Sequence, residues 1–268
     1  MAGSATITPI GPGESTSTVW SALDRTVHAV FAGGNVAALY AGYCCHASSL
    51  GPLAHATALA VMRKALAGAT LQLALLPPDQ HCSWTFNFAE PRMNVFLAGD
   101  NATFRITGRI FETHVKTSGA NRLYVETQRP KHEPARGVVD FEGLDVVEAF
   151  HEYYRRSLQM RAKLFELERD EYVLVQGLPI VDMDWFEALD ASAVRAMVDG
   201  GLEPIEERTY RFECGCDIAK MIVAISDMFA GKLDDLFEGR DDVEVQCPRC
   251  GRYWTLERET LEGSPQVN

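Results

Sequence analysis

Cys214-Gly215-Cys216 and Cys247-Pro248-Arg249-Cys250-Gly251 are the residues whose types and spacing could do chemistry: two close thiol pairs with thirty residues between them. Zinc takes four thiolates at the corners of a tetrahedron, and two close pairs let two chain segments each supply two ligands. The spacing predicts one zinc ion per chain, held by Cys214, Cys216, Cys247 and Cys250. The glycine after Cys250 permits the tight turn that aims backbone N–H groups at sulfur. A module of roughly fifty residues has little apolar core, so a bound metal would supply folding free energy on the order of 10 kcal/mol.

The same cysteines carry a second kind of chemistry. Two residues of extended chain span roughly 7 Å, above the usual Cα separation in a disulfide, so closing a Cys-x-Cys ring is strained and the bond is easily reduced again. Such a pair suits a reversible switch, and zinc would hold its sulfurs as the thiolates that oxidants attack. Spacing alone favours a purely structural site, and it is the Cys-x-Cys pair that argues the other way.

The remaining reactive residues form no constellation. Cys44 and Cys45, in an alanine-rich helix, and Cys82, near a strand start, read as buried small apolar groups. None of the seven histidines has helical metal spacing to another. His81 and Cys82 are neighbours in sequence, a poor geometry for a nucleophilic pair. Gly33-Gly34-Asn35 reads as a turn leading into a helix rather than an anion site, and no phosphate-binding fingerprint is complete. No catalytic or organic-cofactor residue is expected, and the chain reads as a non-enzyme. Phe150, Tyr153, Tyr154 and Leu158 share one side of a predicted helix, as core packing onto a sheet or as an exposed binding surface.

The elements that must position these residues follow from pattern. The chain has 268 residues, 47% hydrophobic and 23% charged, with a formal net charge of −12. An acidic chain repels phosphate backbones, so nucleic-acid and anionic-membrane binding are disfavoured; the densest basic stretch, Arg122 to Arg136, is interrupted by Glu126 and Glu133. No secretory or transit signal and no apolar stretch long enough to span a bilayer is read. A cytoplasmic setting is expected, where cysteines serve metal or redox chemistry rather than a disulfide scaffold.

Residues 1–18 read as a disordered tail and 19–181 as a core domain. Within it a strand is expected over 24–32, helices from about 36 to 48 and from about 53 to 66, and then short runs separated by turn residues. Those runs, 70–76, 83–89, 93–98, 103–107, 123–127 and 137–141, read as antiparallel strands. A helix over about 144–158 and strands at 163–168 and 172–177 complete an α+β fold, an antiparallel sheet packed with helices. Residues 182–209 read as an acidic helical linker, with apolar patches at Trp185, Phe186, Leu189 and at Val194, Met197, Val198. Residues 210–268 read as a small four-cysteine module.

Two stretches resemble a known family. Phe212-Glu213-Cys214-Gly215-Cys216, the spacer with Leu233-Asp234-Asp235-Leu236, and Val243-Glu244-Val245-Gln246-Cys247 through Cys250 and Tyr253 resemble the zinc module of the redox-regulated heat-shock chaperones (heat-shock protein thirty-three). Arg136-Gly137-Val138-Val139, with Val147 through Tyr154 and Ser157-Leu158-Gln159, is similar to that family's core segment. A family Ser-Glu-Gln-x-Pro element is here Ser157-Leu158-Gln159-Met160-Arg161, and the linker is shorter than usual.

The resemblance implies an ATP-independent holdase that is inactive when reduced and zinc-bound. Oxidation would pair Cys214 with Cys216 and Cys247 with Cys250, expel zinc, unfold the linker and expose apolar surface for unfolded client proteins. It also implies homodimerisation of the oxidised form. Three alternatives stand beside it. A zinc-stabilised scaffold would show no redox response, and a thiol oxidoreductase would need a zinc-free cysteine of low pKa. A nucleic-acid-binding zinc ribbon sits poorly with Asp234, Asp235, Glu238, Asp241, Asp242 and Glu244.

Overall fold

Asp24 makes the first turn. Its Oδ1 accepts the N–H groups of Thr26 (2.8 Å) and Val27 (3.3 Å), a side-chain mimic of a backbone turn. The strand expected over 24–32 is therefore a hairpin, β1 (Thr16–Asp24) and β2 (Ala29–Asn35). The computed structural model describes residues 16–113, 115–116, 119–229 and 232–262. Most of the expected N-terminal tail lies outside the described residues, but its last three, 16–18, are already strand.

The chain divides into two compact units between Glu213 and Cys214. The first contains a ten-stranded sheet in the order β7-β6-β3-β4-β5-β10-β1-β2-β9-β8. Its further strands are β3 (His81–Phe88), β4 (Met93–Asp100), β5 (Arg105–Phe111), β6 (Asn121–Gln128), β7 (Ala135–Phe141), β8 (Arg161–Glu168), β9 (Glu171–Gly177) and β10 (Glu203–Phe212). β3 shows why these segments extend. Cys82, Trp84, Phe86 and Phe88 are buried while the residues between them are not, the period-two alternation of a half-buried strand. All neighbouring strands are antiparallel except β5 and β10, which run parallel and share only Arg105↔Arg211 and Ile106↔Phe212.

Helices α1 (Ala37–Leu50), α2 (Ala56–Ala74) and α3 (Val146–Glu152) cover one face. α2 overturns the expectation of a strand at 70–76. Thr70 through Ala74 are its last turns, and they are buried on every side. A short apolar run that is buried all round carries no period to separate helix from strand. Asn101 closes that helix, its Nδ2 donating to the carbonyls of Leu73 (2.8 Å), Leu76 (3.1 Å) and Pro77 (3.0 Å), the kind of side-chain partner that a helix end calls for. Gly68 is needed where α2 meets α3, because a Cβ there would fall on the Phe150 ring. Gly33 and Gly34, expected as a turn, lie inside β2.

After α3 the helix widens to a π-helical turn, Tyr153–Leu158. Both Tyr153 and Tyr154 are buried in the core, so of their two readings core packing holds. Of the remaining thiols only Cys82 is buried. Cys44 is half-buried and Cys45 exposed, which corrects the reading of all three as interior groups. No helix among the described residues is long and apolar enough to cross a membrane.

Residues 182–209, read as a linker, carry α4 (Met183–Ala188), α5 (Ala191–Gly200) and most of β10. α4 and α5 lie on the sheet face opposite α2. There Phe186, Leu189 and Val194 pack with Phe31, Val173 and Val175, and Trp185, Met197 and Val198 join them. The two apolar patches seen in the sequence thus share one cluster. β10 pairs with β1 along nearly its whole length, so that part of the segment is an integral strand and not a linker. Its acidic composition masked it. Seven of its ten side chains are exposed, and Arg208 is buried with its guanidinium donating to Leu76 O (2.7 Å) and Glu206 (2.7 Å).

The second unit contains α6 (Ile218–Met228), α7 (Leu233–Phe237), the hairpin β11 (Asp242–Gln246) and β12 (Tyr253–Glu257), and a final turn α8 (Arg258–Glu262). Its core is small: Ile225, Phe237, Val243, Val245, Leu256 and Leu261 are buried, with Ile222, Phe229 and Trp254 among those packed around them.

Candidate metal centre

The β11–β12 hairpin presents the second thiol pair at its tip. Cys247 N–H donates to Arg252 O (2.7 Å) and Gly251 N–H to Cys247 O (2.9 Å), closing the turn around Pro248, Arg249 and Cys250. Gly251 has φ +83, a left-handed conformation that glycine adopts without steric cost. Cys247 and Cys250 are both 2% exposed.

The first pair precedes α6. Asp217 caps that helix, its Oδ1 accepting Lys220 N–H (2.9 Å), and Lys220 Nζ donates to Gly215 O (2.6 Å), the carbonyl between the two thiols. The N–H of Lys220 holds the Asp217 carboxyl below its ordinary pKa, and its ammonium, 3.1 Å away, adds to the effect. Cap and lysine together fix the backbone that carries Cys214 and Cys216.

The four sulfurs then meet, all within 4.8 Å of one another. Cys214 Sγ lies 3.8 Å from Cys247 Sγ, and Cys216 Sγ lies 3.6 Å from Cys250 Sγ. Zinc–sulfur bonds of about 2.3 Å directed to tetrahedral corners put sulfurs about 3.8 Å apart, so the donor set and its spacing fit a tetrahedral thiolate site. All seven cysteines are free thiols.

Electrostatics sharpen the fit. The Cys214 thiol has its pKa raised by its hydrogen bond to Cys250 and by burial. Burial and the neighbouring Cys214 push Cys216 up to about 12. Four thiolates this close repel one another, and a divalent cation would supply the charge that lets them ionise together. Among the described residues this is the one group of three or more His, Cys, Asp or Glu side chains arranged to hold a metal.

The arrangement defines a thiol-rich metal-binding unit attached to a larger α+β unit. The sequence model of the family described as Hsp33 protein matches residues 53–257, and the chain belongs to the Hsp33 family. A 33 kDa chaperonin of Nitrosococcus oceani is 26% identical over 170 residues, 55% of this chain and 58% of the relative. The chain thus matches less than two thirds of that protein's length. The crystal structure of the 33 kDa chaperonin (heat shock protein 33 homolog) of Thermotoga maritima superposes with a TM-score of 0.67 at 15% identity, covering 92% of this chain and 96% of that one. That likeness shows the fold.

Proposed function

We propose that this protein is a cytoplasmic, redox-regulated holdase whose trigger is a zinc ion held by Cys214, Cys216, Cys247 and Cys250. The observation that carries the reading is the four-sulfur cluster: it ties together segments thirty residues apart in a unit with six buried apolar side chains. Zinc would supply the positive charge that stabilises the thiolates and the cross-link that stabilises the unit. The family resemblance assigns disulfides Cys214–Cys216 and Cys247–Cys250. Each forms when two thiolates give two electrons to a peroxide, which takes up two protons and leaves as two waters. Sulfurs so paired no longer bind the metal, and a unit with so little core then unfolds.

The surface offered to clients is the sheet face beneath α4 and α5, where Phe31, Val173 and Val175 are buried. Cys214 follows the end of β10 by two residues, so loosening of the second unit acts directly on the strand that leads back to α5. Exposed apolar surface of this kind is a binding site for unfolded chains, and an exposed edge would favour homodimers of the oxidised form.

Peroxide treatment should release one zinc per chain, detected by a chromogenic chelator, and the same sample should suppress light scattering from a heat-denatured test protein. The reduced protein should suppress little. Equal suppression by both forms would leave a constitutive zinc-stabilised scaffold, and none by either would remove the chaperone reading.

A further inference from the structure

His151, on α3, accepts the backbone N–H of Leu164 on β8 through Nε2 at 2.9 Å. β8 is the last strand of its sheet, so a side chain satisfies this N–H where the next strand would otherwise do so. An accepting Nε2 carries no proton. The ring proton sits on Nδ1, toward Glu148 Oε2 at 3.6 Å. A second proton would place N–H against N–H and remove the bond.

The neighbour of Leu164 has a separate task. Lys163 donates from Nζ to the carbonyls of Phe186 (2.8 Å) and Glu187 (2.9 Å) at the end of α4, and it lies 5.3 Å from the Phe186 ring centroid. One residue of β8 is thus tied to α3 by His151, and the residue before it ties α4 to the sheet. A cation at His151 would also repel that ammonium.

We propose that His151 is an acid-sensitive catch on the α4–α5 cover, a second trigger that opens the apolar face without oxidation of any cysteine. The inference rests on the reading of that face as the client surface. Burial and three charged groups bear on the imidazole. Burial and Lys163 disfavour its charged form, Glu148 and Asp145 favour it, and burial prevails, so its pKa is lowered from the ordinary value of 6.5. In an opened state the ring regains a value of about 6.5. The open form therefore takes up protons first. Opening is unaffected above about pH 6.5 and is favoured increasingly as pH falls from there through the lowered folded value.

The test uses the full chain, reduced and zinc-loaded, at about pH 7.5 and about pH 5.5, on either side of the free imidazole value. Hydrogen exchange of 161–168 and 183–200, corrected for intrinsic rates, should quicken several-fold at the lower pH with zinc retained. His151→Gln keeps an amide oxygen to accept from Leu164 and does not titrate, so it should show no acid response. Glu148→Gln removes a carboxylate that favours the cation in the closed form, so it should lower the folded value further and make the acid response at about pH 5.5 larger, with the same onset. An equal response in His151→Gln, no response in the wild type, or opening only with zinc loss would each overturn the catch. Failure of the peroxide experiment alongside an intact acid response would instead remove the client-surface reading and leave the catch standing.

Discussion

The two units of this chain solve the problem of staying folded in opposite ways. The first buries both sides of much of a ten-stranded sheet, with Trp84, Phe86, Phe88, Tyr172 and Tyr210 fully enclosed. It needs no cross-link, and its three cysteines are scattered over α1 and β3. Among its described residues the second has one two-stranded hairpin, three short helices and six buried apolar side chains. Hydrophobic burial scales with size, and below a certain core the chain needs a staple. Stability in the first unit is spread over many contacts; in the second, a metal at the four thiols would concentrate it at one point.

The strongest way to break this comparison is to remove the metal. Chelation under reducing conditions, or Cys247→Ser, should weaken metal binding by several orders of magnitude and withdraw folding free energy on the order of 10 kcal/mol. Amide exchange across β11, β12 and α6 should approach unprotected rates, while β3, β4 and β6 keep their protection. If the second unit stays protected without metal, its core suffices by itself and the contrast between the units collapses.

Some of that contrast was legible in the sequence. Four thiols in two close pairs are read from spacing because metal chemistry demands them wherever they fall in the fold. Strands β3, β4, β6, β7 and β8 were legible for a similar reason: one apolar face alternates with one that is not. What failed had no alternation to read. The end of α2 is apolar on all sides, and β10 is polar on nearly all. β10 gains its place from pairing with β1, residues some 185 positions away, and no local pattern encodes such a partner. The apolar patches of 182–209 were visible, but the sheet face that receives them was not.

An intermediate effect is expected at the anchor between the lastingly folded sheet and its cover. Arg195 on α5 donates to both carboxylate oxygens of Glu171 on β9, at 3.0 and 2.7 Å. Glu168 and Asp199 lie within 3.9 Å of the same guanidinium. The fork geometry makes this pair stronger than an ordinary surface bridge, but it is 31% exposed on the arginine side and solvent screens it. The effect should therefore be modest. Arg195→Met keeps the stem and its packing but loses the fork, so α5 in the reduced protein should open more often, by a factor well below that of metal removal. Hydrogen exchange of 191–200 reads this directly. Unchanged exchange would show that the apolar cluster alone retains the helix.

The smallest effect should come from the cysteines outside the tetrad, and that smallness is informative. Cys45 is exposed on α1, the thiol of the first unit most open to an oxidant. Cys82 is buried, and burial pushes its thiol up to about 12 despite the Thr127 hydroxyl 3.5 Å away, so the thiolate an oxidant would attack is scarce. Reactivity needs both a thiolate and access, and Cys82 lacks both. Cys45→Ser should change stability by less than about 0.5 kcal/mol, as for most surface substitutions. It should leave the peroxide dependence of zinc release unaltered. If Cys45→Ser slows zinc release, the exposed thiol of the larger unit relays oxidation to the smaller one, and the division between a stable scaffold and a reactive switch is less clean than their cores imply.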